Sequence, residues 1–404
     1  LPEANIVLKN CGVIDPARID SYIAAGGFEA LEKATGAMTP AEVVAEVKAS
    51  GLRGRGGAGF PVGLKWGFTR QAPAETKYVI CNADEGEVGT FKDRYILEGD
   101  PFSLIEAMAI AGYAVGAGRG FIYLRAEYHF IKDKLAGAIK QAREKGLLGG
   151  FEIEVYEGAG AYVCGEEMAL IESLEGKRGE VRYKPPFPPS RGLWGQPTVI
   201  NNVETLMSIP RIIKNGAGWF AAMGTEKSKG SKVFSVSGDV GRPGVYELEM
   251  GSPLRELVAG LARAEDIKAV QMGGATGRLL PSAMLDTPLD FENVLGAGSV
   301  IVYNNSRDMV DIVYRNLEFL AEESCGKCAP CREGTQLMVV VLKRILDGKA
   351  GERDIAFLKE LSTTMSLTSL CGLGQAAPST LLDSLRYFED AYRARMRDKA
   401  GAVA

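Results

Sequence analysis

Tyr78-Val79-Ile80-Cys81-Asn82-Ala83-Asp84-Glu85-Gly86-Glu87 begins as four residues suited to a buried strand and ends in a polar, acidic turn. The sequence on either side of it decides the fold class. Pro101 to Ala117 reads as a helix, Phe121-Ile122-Tyr123-Leu124 as a second strand, and Tyr128 to Lys145 as a helix stopped by Gly146. Phe151 to Tyr156 reads as a third strand and Gly165 to Leu174 as a short helix. Strands alternating with helices predict a parallel, Rossmann-like α/β sheet, whose ligands bind beyond the carboxyl ends of the strands. Asn82 to Glu87 and Tyr162 to Glu167 fall at such ends.

Upstream, Thr39-Pro40-Ala41-Glu42 is a capping box with proline at the first helical position, and Val43, Val44 and Val47 supply the apolar stripe. That helix runs toward Gly54-Arg55-Gly56-Gly57-Ala58-Gly59-Phe60-Pro61. The letters satisfy G-x-G-x-x-G, but the dinucleotide fingerprint needs a strand before the glycines and a helix directly after them. The order here reads as inverted, so the fingerprint is rejected. What stands is the physical reading: residues with little or no side chain let backbone N–H groups curl around phosphate or lie against a flat ring.

Downstream, Lys184-Pro185-Pro186-Phe187-Pro188-Pro189 reads as a rigid extended surface segment. A helix follows around Val203 to Ile213, and then the pattern changes. Lys232 to Ser237 and Val245 to Met250 read as a hairpin, Pro253 to Ala262 as a helix, and short strands lie near Val270 and at Ser299 to Tyr303. This predicts a small β-grasp-like α+β domain. From Asp308 onward strand signals vanish and four helical stretches remain. The expected domains are 1–230, the N-terminal segment with the α/β domain, 231–306, the β-grasp-like domain, and 307–404, a helical bundle.

Composition narrows the chemistry. A net charge of −4 over 404 residues gives no reason to expect a nucleic-acid surface. The most apolar stretch, Leu104 to Gly118, is interrupted by Glu106 and falls short of the ~20 residues that a membrane span needs. The start, Leu1-Pro2-Glu3-Ala4-Asn5, lacks a secretory pattern, so a reducing cytoplasm is expected. Arg393, Arg395, Arg397 and Lys399 read as a frayed helix and solvated tail. There is one histidine, His129, which removes the usual residue of triad hydrolysis and general-base catalysis. Hydride or electron transfer by a bound cofactor needs no such base.

Of seven cysteines, Cys325, Cys328 and Cys331 form C-x2-C-x2-C, and Cys371 follows 40 positions later. Three thiolates so close in sequence suit a cube of iron and sulfide, which takes one cysteine per iron, better than a small tetrahedral zinc. A zinc site on the same four residues is the competing reading. Cys11, Cys81 and Cys164 are scattered and read as small core residues.

Together these blocks resemble the NADH-oxidising flavoprotein subunit of respiratory complex I and its soluble relatives, the diaphorase subunits of NAD-linked hydrogenases, formate dehydrogenases and bifurcating complexes. The resemblance rests on Gly51 to Pro61, Cys81 to Glu85, Gly158 to Glu167 and Glu323 to Cys328, and covers nearly the whole chain. It implies FMN cradled by Gly54, Arg55, Gly56, Gly57 and Lys65, with Asn82, Asp84 and Glu85 at its ribityl chain and ring edge. Tyr162, Gly165 and Glu166 would line the same pocket, while Asn201, Asn202 and Thr205 face the flavin phosphate. NAD(H) would stack on Phe60, Phe68 and Phe187 with Lys184 near its pyrophosphate. Glu87 and Glu167, the candidate catalytic residues, would lie near its adenosine or nicotinamide portions and disfavour NADPH.

The resemblance further implies hydride transfer from NADH to FMN, then one-electron steps through one [4Fe-4S] cluster on Cys325, Cys328, Cys331 and Cys371. Val88, Met168 and Gln196 depart from the family pattern, and Val88 and Met168 adjoin pocket residues. Expected partners are a thioredoxin-like [2Fe-2S] subunit and a further iron-sulfur or catalytic subunit, with no nucleic acid and no direct membrane insertion. A soluble complex is favoured. The alternatives are a membrane-bound complex I feeding quinone reduction and a non-catalytic iron-sulfur relay or assembly subunit.

Overall fold

The computed structural model describes residues 5–293 and 295–397; the expectations for the first four residues and for the tail at Lys399 lie outside it. The first sheet has strands β1 (Tyr78–Ala83), β2 (Arg119–Leu124), β3 (Glu152–Glu157) and β4 (Thr198–Asn202). All pair in parallel, in the order β3-β2-β1-β4. Successive side chains point to opposite faces. Val79, Cys81, Ile122, Leu124 and Val199 enter one core with the helices Pro101–Val115 and Val203–Asn215. Tyr78, Ile80, Phe121, Tyr123 and Ile200 enter another, with the helix Glu167–Leu174.

β4 was not anticipated, and it matters most for the site. Its register sets Asn202 opposite Asn82, so Asn82, Asn201 and Asn202 share one rim at the carboxyl ends of β1 and β4. Asn202 also caps the next helix, accepting the Glu204 amide at 3.1 Å. Three local readings need correction. The glycine loop is followed directly by a helix, Val62–Gln71, although a helix (Pro40–Ala49) and no strand precedes it. The stretch from Gly165 is a 3-10 turn, Tyr162–Gly165, and then a helix begun by Glu166, whose carboxylate accepts the Met168 and Ala169 amides at 2.8 and 3.0 Å. Pro188 and Pro189 open a one-turn helix, Pro188–Arg191, because the first helical positions need no N–H.

The second sheet is mixed, in the order β6-β5-β9-β7-β8. It contains β5 (Ser231–Gly238), β6 (Gly244–Glu249), β7 (Ile267–Met272), β8 (Arg278–Pro281) and β9 (Ser299–Asn304). The central pair, β5 and β9, is parallel and the other pairs are antiparallel, a β-grasp-like arrangement. The expected helix before β7 is wound as a π-helix over Glu256–Leu261. β8 was missed because it is short and its hairpin hinges on Gly277, where a Cβ would fall 1.7 Å from the Met272 carbonyl oxygen.

Beyond it, six helices among the described residues replace the four expected stretches: Met309–Glu322, Ala329–Leu346, Glu352–Thr368, Gly372–Ala376, Ser379–Tyr387 and Glu389–Arg397. Their core takes in Ala269, Ala275 and Leu279 of the second unit, and Asp383 clamps Arg278 at 2.6 and 2.8 Å. Glu204 ties the two sheets together. Its buried carboxylate accepts from Lys232 Nζ at 2.6 Å, the Val233 amide at 2.8 Å and Lys92 Nζ at 2.9 Å.

Candidate functional site

A cleft of about 1180 Å³ opens at the carboxyl ends of β1 and β4. Its floor is the glycine loop, where the Gly54 amide donates to the Phe60 carbonyl at 2.9 Å and the Arg55 amide to Thr205 Oγ1 at 2.8 Å. Thr205 therefore keeps its own hydroxyl proton free to donate. A Cβ on Gly56 would sit 2.9 Å from Asn202 Cβ, so only glycine lets this backbone lie against the asparagine rim.

Each rim asparagine is oriented from behind. Asn202 Nδ2 donates to Asp93 at 2.6 Å, Asn201 Oδ1 accepts from the Trp66 indole at 2.8 Å, and Asn82 Nδ2 donates to the Gly165 carbonyl at 2.9 Å. A rim of fixed amides beside a helix N-terminus and a side-chain-free loop suits a phosphorylated ligand.

Along the side wall runs an ion-pair chain. Glu167 lies 3.5 Å from Lys65 and 2.8 Å from Lys184, and Lys184 also meets Glu166 at 2.7 Å. Burial pushes the Glu167 carboxyl up, but Lys65 and Lys184 outweigh it and hold the group below the usual carboxylate range. Phe60, Phe68 and Phe187 stand at the mouth, 45 to 54% exposed. Three phenylalanines left that wet are not core; their rings are available for stacking.

The cleft thus gathers Gly54, Gly56, Phe60, Lys65, Phe68, Asn82, Gly165, Glu166, Glu167, Lys184, Phe187, Asn201, Asn202 and Thr205. Six expected residues lie elsewhere. The Arg55 side chain is buried beneath the loop, bonded to the Arg53 and Lys229 carbonyls, and burial lowers it to about 10. Gly57 packs toward Gly296 and Ala297. Glu85 receives the Asp93 and Arg94 amides at 2.8 and 3.0 Å and the Tyr128 hydroxyl at 3.1 Å; burial, then the neighbouring Asp93, pushes it up to about 7. Asp84 beside it is also pushed up to about 7, by burial that Arg125 only partly offsets.

Glu87 turns to the β-grasp-like unit, accepting from the Ala275 amide and the Tyr162 hydroxyl, both at 2.8 Å. Tyr162 in turn packs edge-on against Phe319 and donates its amide to Glu323 at 3.0 Å. The pair joins all three units beside the cleft rather than inside it. Gln196, named only as a departure from the family pattern, also lines the cleft, and Ser190, Ile200 and Gly372 line it without having been singled out. Only Gly372 carried a signal, its adjacency to Cys371.

Cys325, Cys328, Cys331 and Cys371 surround one small void with Val163, Val181, Ser324, Lys327, Leu370 and Leu373. The triplet enters the helix Ala329–Leu346 through Pro330, and Cys371 begins the helix Gly372–Ala376. Burial, chiefly, pushes the Cys331 thiol up to about 11, so a bound metal must displace its proton. Four thiols lining one void match the donor set of a cluster that takes one cysteine per iron. Ser369 Oγ, buried without a partner near Cys331, also fits a site completed by sulfide acceptors. Cys81 and Cys164 are buried in the sheet cores, and Cys11, whose thiol burial pushes up to about 12, packs near Gly99. His129 is exposed at a helix start.

The two sites share a wall. Gly165, Glu166 and Gly372 line the cleft, while Val163 and Cys371 line the cysteine-ringed void.

Residues 47–211 match the family described as Nuo51 FMN-binding domain, and residues 311–395 the NADH-ubiquinone oxidoreductase-F iron-sulfur binding region. The chain is 48% identical to the HndC component of the NADP-reducing hydrogenase of Solidesulfovibrio fructosivorans, over 98% of this chain and 84% of that one. It is 44% identical to a subunit of the NADH-quinone oxidoreductase of Rhizobium meliloti, over 98% of both. An NAD+-reducing [NiFe]-hydrogenase in its air-oxidised state superposes with a TM-score of 0.89 at 42% identity, covering 94% of this chain and 67% of that one. Among the described residues no helix is long and apolar enough to cross a membrane. The chain belongs to the family of flavin and iron-sulfur oxidoreductase subunits that includes members of NADH-quinone oxidoreductases and of NAD- and NADP-reducing hydrogenases.

Proposed function

We propose that the chain takes electrons pairwise from NADH in the cleft and delivers them singly, through Cys371, to the cysteine-ringed site and on to partner subunits. The observation that carries this is the shared wall: Val163 and Cys371 line the cysteine-ringed void, while Gly165, Glu166 and Gly372, one to three residues away in the chain, line the cleft. Bound FMN supplies hydride acceptance and the change from two-electron to one-electron transfer, and the [4Fe-4S] cluster supplies the one-electron relay. No protein acid or base is required, in keeping with a cleft that no histidine lines.

In this reading Gly54, Gly56, Asn202 and Thr205 hold the flavin phosphate, and Asn82 and Asn201 orient the rest of the cofactor. Phe60, Phe68 and Phe187 stack against the dinucleotide, and Lys184 turns from Glu166 and Glu167 to its pyrophosphate. The proposed units, 1–230, 231–306 and 307–404, divide the work into cofactor binding, scaffolding and electron relay. Within the multi-subunit assemblies to which the relatives belong, a thioredoxin-like [2Fe-2S] subunit and a further iron-sulfur or catalytic subunit are the expected neighbours.

The test is anaerobic. Protein reconstituted with FMN, iron and sulfide should lose flavin absorbance and gain a paramagnetic cluster signal on adding NADH. The Cys328→Ala variant should keep the first response and lose the second. A wild-type sample spectrally unchanged by excess NADH would overturn the reading.

Glu167, inside the cleft, is better placed than Glu87 to repel a 2′-phosphate. Glu167→Gln should therefore raise the NADPH-to-NADH ratio of kcat/KM about tenfold, ~1.4 kcal/mol of relative binding. An unchanged ratio removes Glu167 from this role.

A further inference from the structure

Cys331 is the most buried of the four cysteines, at 6% exposure, and one side chain addresses its sulfur: Ser324 Oγ lies 3.3 Å from Cys331 Sγ. The same hydroxyl oxygen accepts the Gly326 amide at 3.3 Å. That bond uses one of the two lone pairs of the oxygen and leaves the hydroxyl proton free to point at the sulfur. The loop carrying Ser324 is held on both sides. Glu323 takes the Tyr162 amide at 3.0 Å, Arg178 donates to the Cys325 carbonyl at 3.1 Å, and Arg332 donates to the Gly326 carbonyl at 2.7 Å.

We propose that Ser324 sets the reduction potential of the cluster by donating a hydrogen bond to the Cys331 thiolate. This rests on the cluster assignment of the proposed function. A coordinated cysteine carries no proton, so between these two atoms the hydroxyl is the only donor. Reduction adds one electron and its negative charge to the cluster and its sulfurs, with no proton leaving Ser324. A donor aimed at a ligand sulfur therefore stabilises the reduced state more than the oxidised one and raises the potential. Burial around Cys331 leaves little water to screen the effect.

The experiment is a mediator titration of the reconstituted holoprotein followed by the EPR signal of the reduced cluster, with neither NADH nor turnover involved. Ser324→Ala should retain its iron and sulfide and show a one-electron reduction constant lowered by up to about tenfold, a shift of up to about 59 mV to more negative potential. Ser324→Thr should return the potential toward wild type, and Ser324→Val, of threonine's size but with no donor, should not. That pair decides the matter even if the alanine variant loses its cluster. Equal potentials for the threonine and valine variants, or an unshifted or more positive potential in a cluster-bearing alanine variant, would overturn the proposal alone. A wild-type protein that assembles no [4Fe-4S] signal would overturn the underlying cluster assignment with it.

Discussion

Glu204→Ala should cost about 3–5 kcal/mol of unfolding free energy, the usual loss when one partner of a buried ion pair is removed. Glu204 is fully buried and receives Lys232 Nζ, Lys92 Nζ and the Val233 amide within 2.6–2.9 Å. Lys92 retains Asp93 at 2.7 Å. Lys232 loses its only ion-pair partner among the described residues and keeps two backbone carbonyls, those of Val233 and Ala297. Burial already pushes Lys232 down to about 7, with Glu204 offsetting part of that.

Without Glu204 its folded pKa falls further below the 10.5 of a free lysine. Between the folded and free values the unfolded chain binds more protons than the folded one, so stability rises with pH; in wild type this rise begins near 7, and in the variant it should begin at lower pH. Urea titration at several pH values measures both effects. A loss below 1 kcal/mol at neutral pH would mean that Glu204 is not the tie between the two sheets.

Gly56→Val should weaken FMN binding at least about 100-fold, ~2.8 kcal/mol, while leaving a folded protein. The new Cβ would lie 2.9 Å from Asn202 Cβ, and the asparagine can yield only by giving up its 2.6 Å bond to Asp93. Hydrogen bonds to charged groups contribute about 1.5–3 kcal/mol, and the valine methyls also take up room in the cleft. Gly54→Ala is the contrast, since the nearest atom to its Cβ would be the Phe60 carbonyl oxygen at an ordinary 3.6 Å. Flavin fluorescence titration separates the two. Binding by Gly56→Val within fivefold of wild type would show that the loop does not hold the cofactor against Asn202.

The parallel strands, the cysteine quartet and the helical end were legible because each has a local pattern: apolar runs closed by polar turns, a fixed spacing of thiols, and loss of strand character. β4 was hidden because Thr198 to Asn202 is short and ends in two asparagines that also start the next helix. Its pairing is set by β1, more than 100 residues away in the chain, through the Asn82–Asn202 register. Glu87 and Tyr162 lie five and three residues from the cleft residues Asn82 and Gly165, yet the β7–β8 connection reaches across and draws the Glu87 carboxylate toward Ala275 and Thr276. Contacts of that range are written in no local stretch. The phenylalanines show the opposite case, where a residue type ordinarily packed inside is held in water by the elements around it.

Cys371 and Gly372 are chain neighbours facing different chambers. Charge crossing between them has a single peptide unit to traverse, while nothing the size of a nucleotide can follow. On the proposed function, the chamber that receives the nucleotide is thereby separated from the one that passes its electrons on. Such a separation is compatible with relatives named for quinone and for hydrogen, at 44% and 48% identity.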